Sequence, residues 1–130
     1  MQMQLKRDCA GVDWMQIFTL YRVSRFDNGR DPDMLRQCFE KSHRVRFGLD
    51  KGKIIATARA ISDGVSCAAI FDVCVHPNYR RAGLGHAIMR DLIADLEGQF
   101  VLLTTTVPEF YYPLGFEPEW RALSTQVRRR

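Results

Sequence analysis

The segment from Asp72 to Arg90, DVCVHPNYRRAGLGHAIMR, runs an apolar strand pattern through paired arginines and a Gly-x-Gly into an amphipathic helix. No other feature of the chain restricts its fold as much. So short a link sets the helix N-terminus, with its unsatisfied N–H groups and positive dipole end, at the end of the strand. Glycines there let an anion reach the backbone without a Cβ in the way. The residues therefore predict a seat for phosphate or pyrophosphate. Two common phosphate loops are excluded, because the P-loop's Gly-x-x-x-x-Gly-Lys is absent and a dinucleotide fingerprint needs a third glycine where Ile88 stands. Arg80 and Arg81 lie where positive charge is unfavourable to a helix, which favours a ligand as their partner.

The surrounding periodicities give the frame. Leu84, Ile88, Leu92 and Leu96 stand four apart, with Met89 and Ile93 alongside, and predict a helix ending at Gly98. The following QFVLLTTT reads as a strand in the middle of a sheet beside a parallel neighbour. Upstream, VRFGL, IIATARAIS and SCAAIFDVCV are parted by DKGK and by Asp63-Gly64, the pattern of an antiparallel meander. Ahead of them come two helices, one over residues 12–22 with Asp13 in its first turn, the other capped by Asp31, begun by Pro32 and running to about Ser42. A turn of helix around Pro108–Tyr112, a bend at Gly115 and a final strand over Ala122–Val127 follow. The order is α-α-β-β-β-α-β-α-β, an α/β chain with helices packed on a mixed sheet. Residues 1–11 and 125–130 read as flexible ends of one domain spanning 1–130.

Composition serves to exclude. No apolar run approaches the roughly 20 residues that span a bilayer, and MQMQLKRDCAG lacks the apolar centre of a signal peptide, so no membrane and a cytoplasmic address are expected. The four cysteines form no C-x-x-C pair and do not cluster with the three histidines, which points to reduced thiols and no metal. Of the net charge of +4, three units belong to the terminal arginines and +1 remains on the rest. The dense positive spot is then Arg80, Arg81, His86 and Arg90, which suits a small anion better than a nucleic acid.

Arg80, Gly83 and Gly85 occupy the three positions of [Arg/Gln]-x-x-Gly-x-[Gly/Ala], and Phe110, Tyr111, Gly115 and Phe116 fit Phe-Tyr-x-x-x-Gly-Phe after the next strand. In these motifs the chain resembles the GNAT superfamily of N-acetyltransferases, as a small single-domain member. The resemblance implies the GNAT acyl-coenzyme A fold and acetyl-coenzyme A as co-substrate, without metal. Its pyrophosphate would lie on the amides of Arg81, Ala82, Gly83, Leu84, Gly85 and His86, with Arg80 in the same set and the His86 side chain in reach. The pantetheine arm would lie along Val73, Cys74 and Val75.

The implied reaction is direct attack of a primary amine, of a small molecule, on the thioester in a ternary complex; homodimerisation is a family expectation. Tyr111 would protonate the leaving thiolate, since a phenol stays protonated at neutral pH, and a strand N–H near Val73–Val75 would hold the oxyanion. Tyr112 takes that role if the register shifts by one. The general base is open: the family's positions fall on Ala69 and Phe71, Asp72 faces away unless a bulge turns it, and a water chain or an already neutral amine serves equally. Tyr21, Phe26, Arg59 and Trp120 are further candidates for an acceptor pocket. Two alternatives stand beside this reading, a non-catalytic coenzyme A-binding module and a protein-lysine acetyltransferase.

Overall fold

The computed structural model describes residues 2–130. Gln4–Lys6 forms the first strand, β1, paired antiparallel with Phe47–Leu49, and Arg7 just beyond it grips Asp91 through two hydrogen bonds of 2.9 and 2.7 Å. The expectation of a flexible start over residues 1–11 is thereby corrected for the described part; Met1 lies outside the described residues. Next come α1 (Trp14–Val23) and α2 (Pro32–Glu40), each opened by an aspartate: Asp13 accepts from the Met15 N–H and Asp31 from the Met34 N–H. The meander is β2 (Arg44–Asp50), β3 (Lys53–Ser62) and β4 (Cys67–Val75). Lys51 and Gly52 make its first turn at φ 50° and 80°, the left-handed pair that suits a twisted hairpin.

After the glycine loop, α3 (Leu84–Ala94) leads back to β5 (Phe100–Leu102), which runs parallel to β4. The sheet order is β1-β2-β3-β4-β5. Two of the expectations for this half are corrected. Helix α3 stops at Ala94 instead of Gly98, because Leu96 N–H and Gln99 N–H turn back three residues, to Ile93 and Leu96, in a tightened exit. β5 is a three-residue edge strand with Phe100 and Leu102 exposed, not a central one. Of its apolar run, Val101 and Leu103 pack on the core cluster that holds Ile88, Met89 and Leu92. The strand expected at Ala122–Val127 does not form: the segment is exposed and pairs with nothing among the described residues.

The helices take opposite faces of the sheet. α1 and α2 bury Ile17, Leu20, Tyr21, Leu35 and Phe39 against Val45, Phe47, Ile54 and Cys74. On the other face, Ile88, Met89 and Leu92 of α3 lie on Ala56, Ala58, Ala60, Ala68 and Ile70, small residues that let the helix approach closely. Alternation also turns Arg46 toward α3, where it is 1% exposed and paired with Asp91 at 2.6 Å and with Asp95. The hydrogen bonds of Arg7, joined by Arg46, outweigh burial and hold Asp91 down at about 2. This network fixes α3, and with it the helix head that borders the site.

Candidate active site

Among the described residues β4 and β5 pair only at Cys67–Ala69 and Phe100–Leu102, and β4 then continues to Val75 with no strand on that side. The backbone there has free groups. His76 N–H bonds Ile55 C=O at 2.8 Å and Cys74 pairs with Thr57, so alternation turns the groups of Val73 and Val75 toward the gap. The Asp72 carbonyl accepts from Thr57 Oγ1 at 2.8 Å, and in a trans peptide the Val73 N–H points the opposite way, into the opening. Arg80 Nε reaches the Val75 carbonyl at 3.3 Å and draws the following loop back over the strand end. Such an edge can accept one more extended chain.

A bulge creates this geometry. Thr57 faces Cys74 while Arg59 faces Phe71, so Asp72 and Val73 together oppose Ala58, and Asp72 takes φ 56°, a left-handed conformation uncommon for a side-chain-bearing residue. The slip brings Asp72 to the same face as Phe71, the condition for a base at this position. Its carboxylate is already engaged, however: Arg30 donates to both oxygens at 2.9 and 2.7 Å and Arg59 Nε to one at 2.6 Å. Burial alone would raise its pKa, but the two arginines prevail and leave it below the ordinary carboxylate value. Asp72 is therefore an anchored anion and a poor proton acceptor.

The loop between β4 and α3 begins with one 3-10 turn, Pro77–Tyr79, pinned where Tyr79 Oη donates to Asp50 at 2.8 Å. Arg81 at φ 67° and Gly83 at φ 77° then reverse the chain. Gly83 is the N-cap of α3 and supplies no side-chain acceptor; the first helical bond is Ala87 N–H to Gly83 C=O, 3.0 Å. The N–H groups of Leu84, Gly85 and His86 thus lack an acceptor among the described residues, and they can hold an anion. A Cβ on Gly83 would meet nothing within 4 Å, which marks the open side of the loop. One on Gly85 would fall 2.8 Å from Phe110 and 3.4 Å from Val75, so this glycine lets the helix head, the strand end and the next helix meet.

That next helix, α4 (Pro108–Tyr111), carries the tyrosines. Tyr111 is the inward one at 9% exposure, edge-on to Phe110 and Phe116, whereas Tyr112 is 46% exposed. The Tyr111 hydroxyl makes no hydrogen bond among the described residues, and burial pushes its pKa above the ordinary value. His86 corrects one expectation: its Nε2 lies 2.8 Å from the Phe110 carbonyl and its ring packs on Phe110, so only its main-chain N–H faces the loop. Arg30 carries no signal of this role in the sequence. It sits in a loop without periodicity, and its partner stands 42 positions away.

Residues 12–116 match the acetyltransferase (GNAT) family. Over 121 residues the chain is 38% identical to serotonin N-acetyltransferase 2, chloroplastic, of Oryza sativa subsp. japonica, which covers 86% of this chain and 60% of that protein. Over 84 residues it is 38% identical to histone acetyltransferase TAP1 of Glycine max, covering 61% of this chain and 36% of that one. The chain thus spans less than two thirds of either relative. A GNAT family acetyltransferase from Streptococcus pneumoniae superposes with TM-score 0.82 over 98% of this chain and all of that one; at 23% identity this is a likeness of fold.

Proposed function

The chain belongs to the GNAT acetyltransferase family, and from that premise we propose that it moves an acetyl group from acetyl-coenzyme A to the primary amine of a small molecule. The observation that carries the proposal is the open end of β4, Val73–Val75, lying beside an uncapped helix head with free N–H groups. In this reading the N–H groups from Arg81 to His86 bind pyrophosphate, with Arg80 and Arg81 supplying positive charge, and the backbone of Val73, Cys74 and Val75 aligns the pantetheine arm. The Val73 N–H faces the thioester oxygen and stabilises the charge that develops there as the amine attacks. Tyr111 delivers its proton to the departing sulfur, helped by a hydroxyl without a hydrogen-bond partner among the described residues. With Asp72 engaged by two arginines, the amine loses its proton to water or arrives neutral.

The rice relative's name, which specifies serotonin, supports an arylalkylamine as the acceptor class. The soybean relative's name supports a second reading, transfer to a protein lysine. For the compartment, the expected cytoplasmic address stands beside a plastid one suggested by the rice name. No helix among the described residues is long and apolar enough to cross a membrane.

A thiol-release assay with acetyl-coenzyme A tests the proposal across arylalkylamines, polyamines, aminoglycosides, amino acids and lysine peptides. Release with at least one small amine is expected. Release with peptides alone would transfer the acceptor role to protein lysine, and tight binding of acetyl-coenzyme A without turnover on any amine would leave a non-catalytic binding module.

A further inference from the structure

We infer that Arg30 is a positioning residue for acetyl transfer: its clamp on Asp72 fixes both the α1–α2 connection and the bulge that aims the Val73 N–H into the gap. The inference rests on the acetyl-transfer reading of that gap. The connection itself, residues 24–31, holds Arg25, Asn28 and Gly29 at φ 55°, 52° and 73°. Its own hydrogen bonds are local, Phe26 N–H to Tyr21 and Arg30 to Asp27. The guanidinium fork of Arg30 ties it to the sheet, through both oxygens of a carboxylate that is nearly inaccessible.

The contacts close a ring. Arg30 lies over the Tyr21 ring at 5.5 Å; Tyr21 Oη and Thr57 Oγ1 share a hydrogen bond of 2.8 Å; and Thr57 Oγ1 donates to the Asp72 carbonyl, the group trans to the Val73 N–H. A side-chain-bearing residue at positive φ persists where its surroundings over-determine it, and this ring supplies the determination for Asp72. Without Arg30, Asp72 keeps Arg59 alone, the bulge can relax toward a regular pleat, and the Val73 N–H loses its aim. The pyrophosphate cradle, built on α3 from the other side of the strand, is not part of this ring.

The experiment compares wild type, Arg30→Gln and Arg30→Lys in four measurements: backbone amide shifts by NMR, amide hydrogen exchange, acetyl-coenzyme A affinity, and kcat and KM for the amine. In Arg30→Gln, the backbone amide shift of Val73 moves and exchange at the bonded amides of Arg25, Phe26 and Arg30 accelerates, while exchange in α3 stays as in wild type. Acetyl-coenzyme A affinity falls only about threefold because the pyrophosphate cradle is kept, whereas kcat falls roughly tenfold, the scale of one lost charge-assisted hydrogen bond, and the amine KM rises. Arg30→Lys, which keeps the charge without the fork, recovers only part of kcat. An unmoved Val73 amide shift would overturn the inference, as would coenzyme affinity falling in step with kcat. If Arg30→Gln moves the Val73 amide shift but wild type turns over no amine, the acetyl-transfer reading fails and the clamp on Val73 stands.

Discussion

Tyr111→Phe lowers kcat by about 100-fold or more while acetyl-coenzyme A affinity stays within about twofold. The substitution keeps the ring that packs edge-on to Phe110 and Phe116, so the buried aromatic cluster is preserved. It removes a hydroxyl with no hydrogen-bond partner among the described residues, so no buried group is left unsatisfied and the melting temperature holds. What is lost is the proton for the thiolate. Burial raises this phenol above its ordinary value of 10.0, so it is protonated across the neutral range; the alkaline limb of the kcat profile lies above that value and disappears in the variant. An unchanged kcat would remove Tyr111 from the chemistry and leave the half-exposed Tyr112 to be tested in its place.

Gly83→Val weakens acetyl-coenzyme A binding roughly 30-fold or more, or about 2 kcal/mol. Two effects combine. A side chain at φ 77° costs about 1–2 kcal/mol in the left-handed region, which deforms the turn that presents the free N–H groups. The added carbons also project into the open side of the loop, where a phosphate would approach. Gly98→Val is the matched control, since Gly98 is equally left-handed at φ 81° with open space around it but lies past the far end of α3. It carries the strain and leaves binding intact. Titration calorimetry on the pair separates the cradle from general destabilisation; equal losses in both variants would contradict the assignment.

The parts legible in the sequence are those whose signals are local. Paired arginines and Gly-x-Gly between two strong periodicities define the loop and α3, and Asp-first helix starts define α1 and α2. β1 does carry an alternation, with Met3 and Leu5 set between Gln2, Gln4 and Lys6, but it is too short and too polar to read as a strand without the open edge of β2 that recruits it. The edge position of β5 was hidden because packing against a helix and burial between strands leave the same apolar run.

The bulge left a trace that simple alternation overlooks. Ala68 and Ile70 pack toward α3, yet so do Val73 and Val75, and that change of parity requires an extra residue between them. Asp72 is that residue. Recognising its partner Arg30 needs the folded chain, since an arginine after Asn-Gly looks like any solvated loop charge.

A single ligand is expected to span the end of β4 and the head of α3. Backbone amide shifts, recorded by NMR as acetyl-coenzyme A is added to isotope-labelled protein, locate it residue by residue. The predicted result is that the largest changes fall together on Val73, Val75 and the stretch from Arg81 to His86, while β1 and β2 stay still. Changes confined to the helix head, or centred elsewhere on the molecule, would contradict it.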